Sequence, residues 1–267
     1  RFSNINNNNT TQMNFISTDT SPFNTHFNID EDKEEEHDEY KNKCVLLLSL
    51  FRKAEVMKLF LVLLLTMGCM ISNVNNIKFI VSSISSSYSS LSSTSLDKYP
   101  LIYFSFNSIS RVFIGATISS VMGTEYTFAT LNTITIIGLI SQIMGFFMTK
   151  FTIYISIAMA GMTHGSIMTF VPLYCRYYYN VNDLGTVLGF LTTGNALGSI
   201  LIATLLFPIY YHRYAEDNKY IGEHCSGKRC FRNSYGINCI FMCVAVLLSY
   251  WIFFEDKKKK IRERRES

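Results

Sequence analysis

"LGTVLGFLTTGNALGSILIATLLFPIYYH", Leu184 to His212, runs without a single aspartate, glutamate, lysine or arginine. About 20 apolar residues are enough for a helix to cross the hydrocarbon core of a bilayer, and this stretch exceeds that. Tyr126 to Thr149 and Asn233 to Phe254 are equally free of charge. Only 16% of the chain is charged and 48% is hydrophobic, where a soluble domain carries about 25% charged residues. These features define an integral membrane protein that is all-α and polytopic. Four glycines punctuate the quoted stretch, at 185, 189, 194 and 198. A phosphate-binding loop is excluded, because Asn195 and Ala196 follow Gly194 where that loop requires lysine and then serine or threonine. The glycines instead form two G-x-x-x-G pairs, Gly185 with Gly189 and Gly194 with Gly198, the spacing at which helix backbones approach closely. The expectation is a tightly packed helix, with Thr192 and Asn195 offering polar contacts within it.

Working outward, the same reading gives six crossings, at 56–79, 101–123, 127–149, 151–175, 184–210 and 233–254. The segment "CVLLLSLFRKAEVMK", Cys44 to Lys58, is too short and too charged to span, and residues 44–55 read as an interfacial helix leading into the first crossing. A serine-rich loop, "SSISSSYSSLSSTS", separates the first crossing from the second. Tyrosines gather at the predicted boundaries, among them Tyr99, Tyr103, Tyr177 to Tyr179 and Tyr250 beside Trp251, as an aromatic belt requires. Residues 1–43 are Asn-rich and then acidic, with four basic and nine acidic residues, and read as disordered. Because residue 1 is Arg1 rather than Met, a longer parent chain is expected. The basic tail, 255–267, holds seven lysines and arginines between Lys257 and Arg265. With Arg52, Lys53 and Lys58 at the other flank and an even number of crossings, the positive-inside rule puts both ends in the cytosol. The loop 211–232 is then extracytosolic despite its own five basic residues.

Arg111 is the only charged residue deep inside a crossing. It stands ten residues after Leu101, about 15 Å along a helix axis and so near the bilayer midplane. A guanidinium there costs several kcal/mol unless it faces the bundle interior or a water-filled cavity. Asn107, four residues earlier, shares its helix face and is placed to orient it. Two readings stand: capture of an anionic group by the planar guanidinium fork, or a structural arginine bonded to carbonyls of a neighbouring helix. His164 is the one histidine inside a crossing. It is either a proton relay or a neutral side chain hydrogen-bonded to an adjacent helix, and Gly161 and Gly165 beside it have small-xxx-small spacing. In the loop 211–232, Cys225 and Cys230 bracket "CSGKRC". Extracytosolic placement favours a disulfide between them, while zinc would need two more ligands than the cysteines supply. There is no hydrolytic triad, no metal-binding helix motif and no dinucleotide fingerprint, so no enzyme activity, cofactor, metal or nucleic-acid partner is expected.

Four motifs, in order along residues 44–254, resemble the nodulin-like branch of the major facilitator superfamily. "NVNNIKFIVSS", Asn73 to Ser83, is similar to that family's Asn-Asn and apolar run at the end of its seventh helix. "FNSISRVFIG" resembles the Asn-x-x-Gly-Arg stretch of its eighth, with Ser110 in place of the glycine. "GTVLGFLTTGNALGSIL" resembles its glycine-rich eleventh helix, and "CSGKRCF" its Cys-x-Gly-x-x-Cys-Phe loop. Cys175 and Arg176 stand where the family's tenth helix often ends in an acid. The resemblance implies the second six-helix half of a twelve-helix transporter, with residues 1–43 as the cytosolic loop between the halves. The N-terminal half of the same longer chain and the bilayer would be its partners. It also implies a secondary transporter for a small solute, with Arg111, Asn107, His164, Asn75, Asn76 and Asn195 as candidate binding residues; the anion-capture reading of Arg111 would make that solute an anion. The alternative is a multi-pass scaffold that moves nothing. Tags placed before Cys44 and after Ser267 are expected to be reachable only in permeabilised cells. Labelling of either tag on intact cells that express the protein at their surface would reverse the orientation.

Overall fold

The computed structural model of the protein describes residues 43, 45–85, 98–122, 126–209 and 231–266, with the side chains of 82–85 and 150 left aside. Each charge-free run forms a helix, since only an internally hydrogen-bonded backbone is tolerated in lipid. Residues 45–52 form α1, which ends where Lys53 turns extended (φ −79°, ψ 105°). Then follow α2 (Ala54–Asn75), α3 (Ile77–Ser85), α4 (Lys98–Val121), α5 (Thr127–Phe147), α6 (Lys150–Tyr178), α7 (Val181–Gly198) and α8 (Arg232–Glu266). α7 runs on as a π-helical segment, Ser199–Leu206. Among the described residues, six helices are long and apolar enough to cross a membrane, so the chain is an all-α, multi-pass integral membrane protein. The amino-terminal segment 1–42, the serine-rich loop and the cysteine loop with Cys225 and Cys230 lie outside the described residues.

Two boundaries depart from the expected ones. The first crossing is not one helix to residue 79: it is interrupted at Asn76 and resumes as α3. The basic tail is not separate from the last crossing either, because α8 continues unbroken for 35 residues to Glu266. The α5–α6 turn is tight. Met148 adopts the left-handed conformation (φ 50°, ψ 39°) and donates its N–H to the Gly145 carbonyl, and a reciprocal cap between Thr149 and Thr152 then starts α6.

α6 is the central element, touching α2, α4, α5 and α7, while α2 also packs on α8 and on the π-helical segment. Two apolar clusters fill the bundle. One joins Leu59, Leu63, Phe170, Tyr174 and Phe190; the other joins Met70, Tyr103, Ile157, Phe207 and Tyr235. Polar nodes cross-link the helices inside this apolar surround. Asn238 on α8 donates to Ser72 Oγ (2.8 Å) and Gln142 Oε1 (3.4 Å), and Gln142 donates to the Cys69 carbonyl (3.4 Å). Ser249 on α8 donates to Asn132 Oδ1 on α5 (2.9 Å).

The glycine helix is half as expected. A Cβ on Gly198 would lie 3.1 Å from the Gly68 nitrogen and closer still to the Leu64 carbonyl, and one on Gly68 would lie 2.6 Å from the Gly198 oxygen. Backbone therefore packs on backbone, α7 against α2. Gly194 meets Phe60 at 3.2 Å. Gly185 and Gly189 meet nothing within 4 Å, so the first pair does not pack within this bundle. The reason is angular: at 100° per residue they lie across the helix from the buried stripe of Val187, Leu191, Gly194 and Gly198. Gly198→Leu is expected to force α7 off α2 and sharply reduce folded protein, at a cost of roughly 1–3 kcal/mol or more. Gly189→Leu leaves the fold of the described bundle intact. Fluorescence-detected size-exclusion profiles of the two variants in detergent check the contrast.

Candidate functional site

α4 carries Tyr103, Asn107 and Arg111 at successive spacings of four, which brings them along one stripe. Side chains on a helix lean toward its N-terminus, so the arginine folds back one turn. Its Nε donates to Asn107 Oδ1 at 3.0 Å. Asn107 is buried and Arg111 is exposed. Of the two placements expected for Arg111, the bundle interior or a water-filled cavity, it does not take the first within the described six helices. α4 packs almost wholly on α6, and Arg111 lies at the edge of that contact. Among the described residues its guanidinium bonds to no neighbouring helix.

α6 supplies the other wall. Gly161 and Gly165 lie directly against the α4 backbone. A Cβ on Gly161 would collide with the Tyr103 carbonyl, and one on Gly165 with the Asn107 carbonyl and Ser110 Oγ. Ser110 turns its hydroxyl to the Asn107 carbonyl (2.9 Å) and fits within the contact. The close approach brings His164 beside Tyr103. Tyr103 Oη and His164 Nδ1 share a hydrogen bond, with the rings edge to face at 5.8 Å. His164 is thus bonded to an adjacent helix, as one of its two readings required. Arg111 bonds to Asn107, whose carbonyl lies against Gly165, the residue after His164, so arginine, asparagine, tyrosine and histidine line neighbouring levels of the α4–α6 seam. Tyr103 was not among the residues singled out by sequence. Its spacing of four from Asn107 was the available signal, obscured by its resemblance to a belt tyrosine.

Three further residues do not join this cluster. Asn75 is exposed at the end of α2. Asn76 sits at the interruption after α2, and its amide nitrogen is committed to the carbonyls of Ser72 (3.0 Å) and Ala203 (3.4 Å). It clamps the broken helix to the π-helical segment, because an interrupted helix leaves carbonyls that need a donor. Asn195 is buried on α7, and its Oδ1 has no hydrogen-bond partner among the described residues, so the polar contact expected of that atom is not made. Thr192, across the helix, turns its hydroxyl back to the Gly189 carbonyl (2.9 Å). No group of three or more histidine, cysteine, aspartate or glutamate side chains able to hold a metal occurs among the described residues.

The exposed faces differ in character. On the Arg111 side of α4 Ser108 and Ser119 are exposed together with Phe104 and Leu101, while the opposite edge carries Phe106, Ile109 and Phe113. The open face of α7 is Gly185, Gly189, Thr192 and Ala196. α8, by contrast, exposes Ile240, Val244, Leu247, Trp251 and Phe254, and α5 exposes Ile136, Ile143 and Phe147. At the end where α2 begins and α6 ends, a cleft of about 90 Å³ is lined by Glu55, Tyr174, Tyr178, Glu255 and Lys259 among others. Beside it Lys58 pairs with Glu255 (2.6 Å) and lies 4.5 Å over the Trp251 ring, and Trp251 donates to Glu255 (2.7 Å).

Fold and composition together define a multi-pass integral membrane protein with a polar cluster at the α4–α6 seam. Comparison of the chain with protein-family models, with curated proteins and with solved structures finds no match. Gly165→Val is expected to wedge α4 from α6 and separate Tyr103 from His164. A fall in the melting temperature of the purified protein, corresponding to roughly 1–3 kcal/mol, checks it, with Gly115→Val, which meets only Thr169 at 3.4 Å, as the milder control.

Proposed function

We propose that this chain is the second six-helix half of a secondary transporter resembling the nodulin-like branch of the major facilitator superfamily. In this reading it moves a small anionic solute across the membrane by alternating access around a midplane site. The observation that carries the proposal is the state of Arg111. An arginine that served only to hold helices together would bond across to a neighbour. This one bonds within its own helix to Asn107 and leaves its outer edge open. A lipid-facing guanidinium at that depth costs several kcal/mol, so the face that carries it belongs against water or protein.

The polarity of the exposed faces supports the same reading. Glycine, threonine and alanine on the open side of α7 suit the close approach of other transmembrane helices, whereas the large apolar side chains exposed on α8 suit lipid. The N-terminal half of a longer chain is the partner that the proposal seats on α4 and α7. Both ends of the segment are cytosolic in this arrangement, in keeping with the basic residues at its flanks.

The test is solute uptake per folded molecule by the full-length protein in proteoliposomes, with the folded fraction measured in parallel. Arg111→Gln keeps polarity but removes charge and is expected to abolish uptake while the protein still folds. Arg111→Lys restores charge without the bidentate fork and is expected to recover activity only in part. Undiminished uptake per molecule in Arg111→Gln would overturn anion capture and favour a scaffold.

A further inference from the structure

Tyr103 is buried, and among the described residues its hydroxyl has one polar partner, His164 Nδ1. A buried O–H without an acceptor costs about 1–3 kcal/mol. If Nδ1 carried the imidazole proton, it would have to donate to the phenol oxygen, and the phenol proton would have no acceptor. The satisfied arrangement has Tyr103 Oη–H donating to Nδ1. The proton of a neutral imidazole then resides on Nε2. His164 is half-buried, and Nε2 has no partner among the described residues, so this second N–H is free to donate outward.

Arg111 is constrained in the same manner. Its Nε–H is committed to Asn107 Oδ1, which leaves the Nη edge as the part that can meet a ligand. The spot therefore presents donors from two helices, the Nη groups of Arg111 on α4 and Nε2–H of His164 on α6, and neither helix carries a carboxylate. A ligand with two or more acceptor oxygens matches these donors.

We propose that Tyr103 is a positioning residue that fixes His164 as an Nε2–H donor, so that His164 and Arg111 together take an oxyanion of carboxylate or phosphate chemistry. This rests on the reading of the Arg111 cluster as an anion site and adds to it a second donor, the residue that orients that donor, and a ligand class. No protonation change is required: the anion is held by a neutral imidazole and a guanidinium, each donating.

The experiment uses full-length protein in nanodiscs, with 15N-labelled histidine and with sodium acetate and sodium phosphate as probes against sodium chloride at equal ionic strength. The His164 resonances are those absent in His164→Gln. In the wild type they are expected to show a protonated Nε2 and an unprotonated Nδ1. Tyr103→Phe is expected to admit the other tautomer and to weaken stabilisation by acetate or phosphate about five- to tenfold in apparent affinity, the loss of about one hydrogen bond. Arg111→Gln is expected to remove that stabilisation. A wild-type His164 protonated on Nδ1 would overturn the inference even if Tyr103→Phe fails to fold. An unchanged tautomer or affinity in Tyr103→Phe, with the oxyanion effect still lost in Arg111→Gln, would overturn the inference alone and leave the anion site standing. No oxyanion effect in the wild type, or one of undiminished size in Arg111→Gln, would overturn both.

Discussion

The contact on which the site depends is the backbone approach of α6 to α4 at Gly161 and Gly165. Any side chain at either position would occupy space held by α4 carbonyls. With hydrogen there, the two helices come close enough for His164 to reach Tyr103. One turn further along the same stripe, Asn107 is pinned against α6 while its side chain holds Arg111. In lipid no hydrophobic force drives apolar helices together, so packing of small residues and bonds between helices do that work. The α4–α6 seam uses both at once.

The rest of the bundle applies the same physics to different ends. Ser72, Gln142 and Asn238 tie α2, α5 and α8 together, and Asn132, Thr135 and Ser249 tie α5 to α8. The amide of Asn238 serves two partners and the hydroxyl of Ser249 lies within hydrogen-bonding distance of three, which is how a polar group is accommodated where water is absent. The Lys58–Glu255–Trp251 cluster closes the seam between α2 and α8 at the end of the bundle, where the apolar part of α8 gives way to its basic continuation. The Gly68–Gly198 contact joins α2 to α7 just before the backbone widens into the π-helical segment. These features fix helix neighbours. None of them resembles the Arg111 cluster, in which the exposed arginine bonds only within its own helix among the described residues.

α7 shows how one pattern divides into two uses. Gly194 and Gly198 face α2 and are filled by it. Gly185 and Gly189, together with Thr192 and Ala196, lie on the other side and are covered by nothing in the described bundle. The G-x-x-x-G spacing is the same in both pairs. Their roles differ only because 100° per residue carries the second pair around to the inner face.

The sequence by itself determined the class of protein and the six long apolar helices found among the described residues. Charge is excluded from a bilayer at a cost no short polar segment can offset, so long uncharged runs such as Leu184–His212 have one outcome. It also determined that Asn107 and Arg111 share a face, because a spacing of four is local geometry. Which glycine pair packs, whether Arg111 points into or out of the bundle, and that Asn76 clamps a broken helix rather than joining Arg111 were decided by tertiary structure. The same is true of Tyr103, whose partner is 61 residues away in sequence. Each of these depends on which helix stands beside which and at what rotation. That is set by contacts between segments distant in sequence, to which a helical periodicity of 3.6 residues is blind.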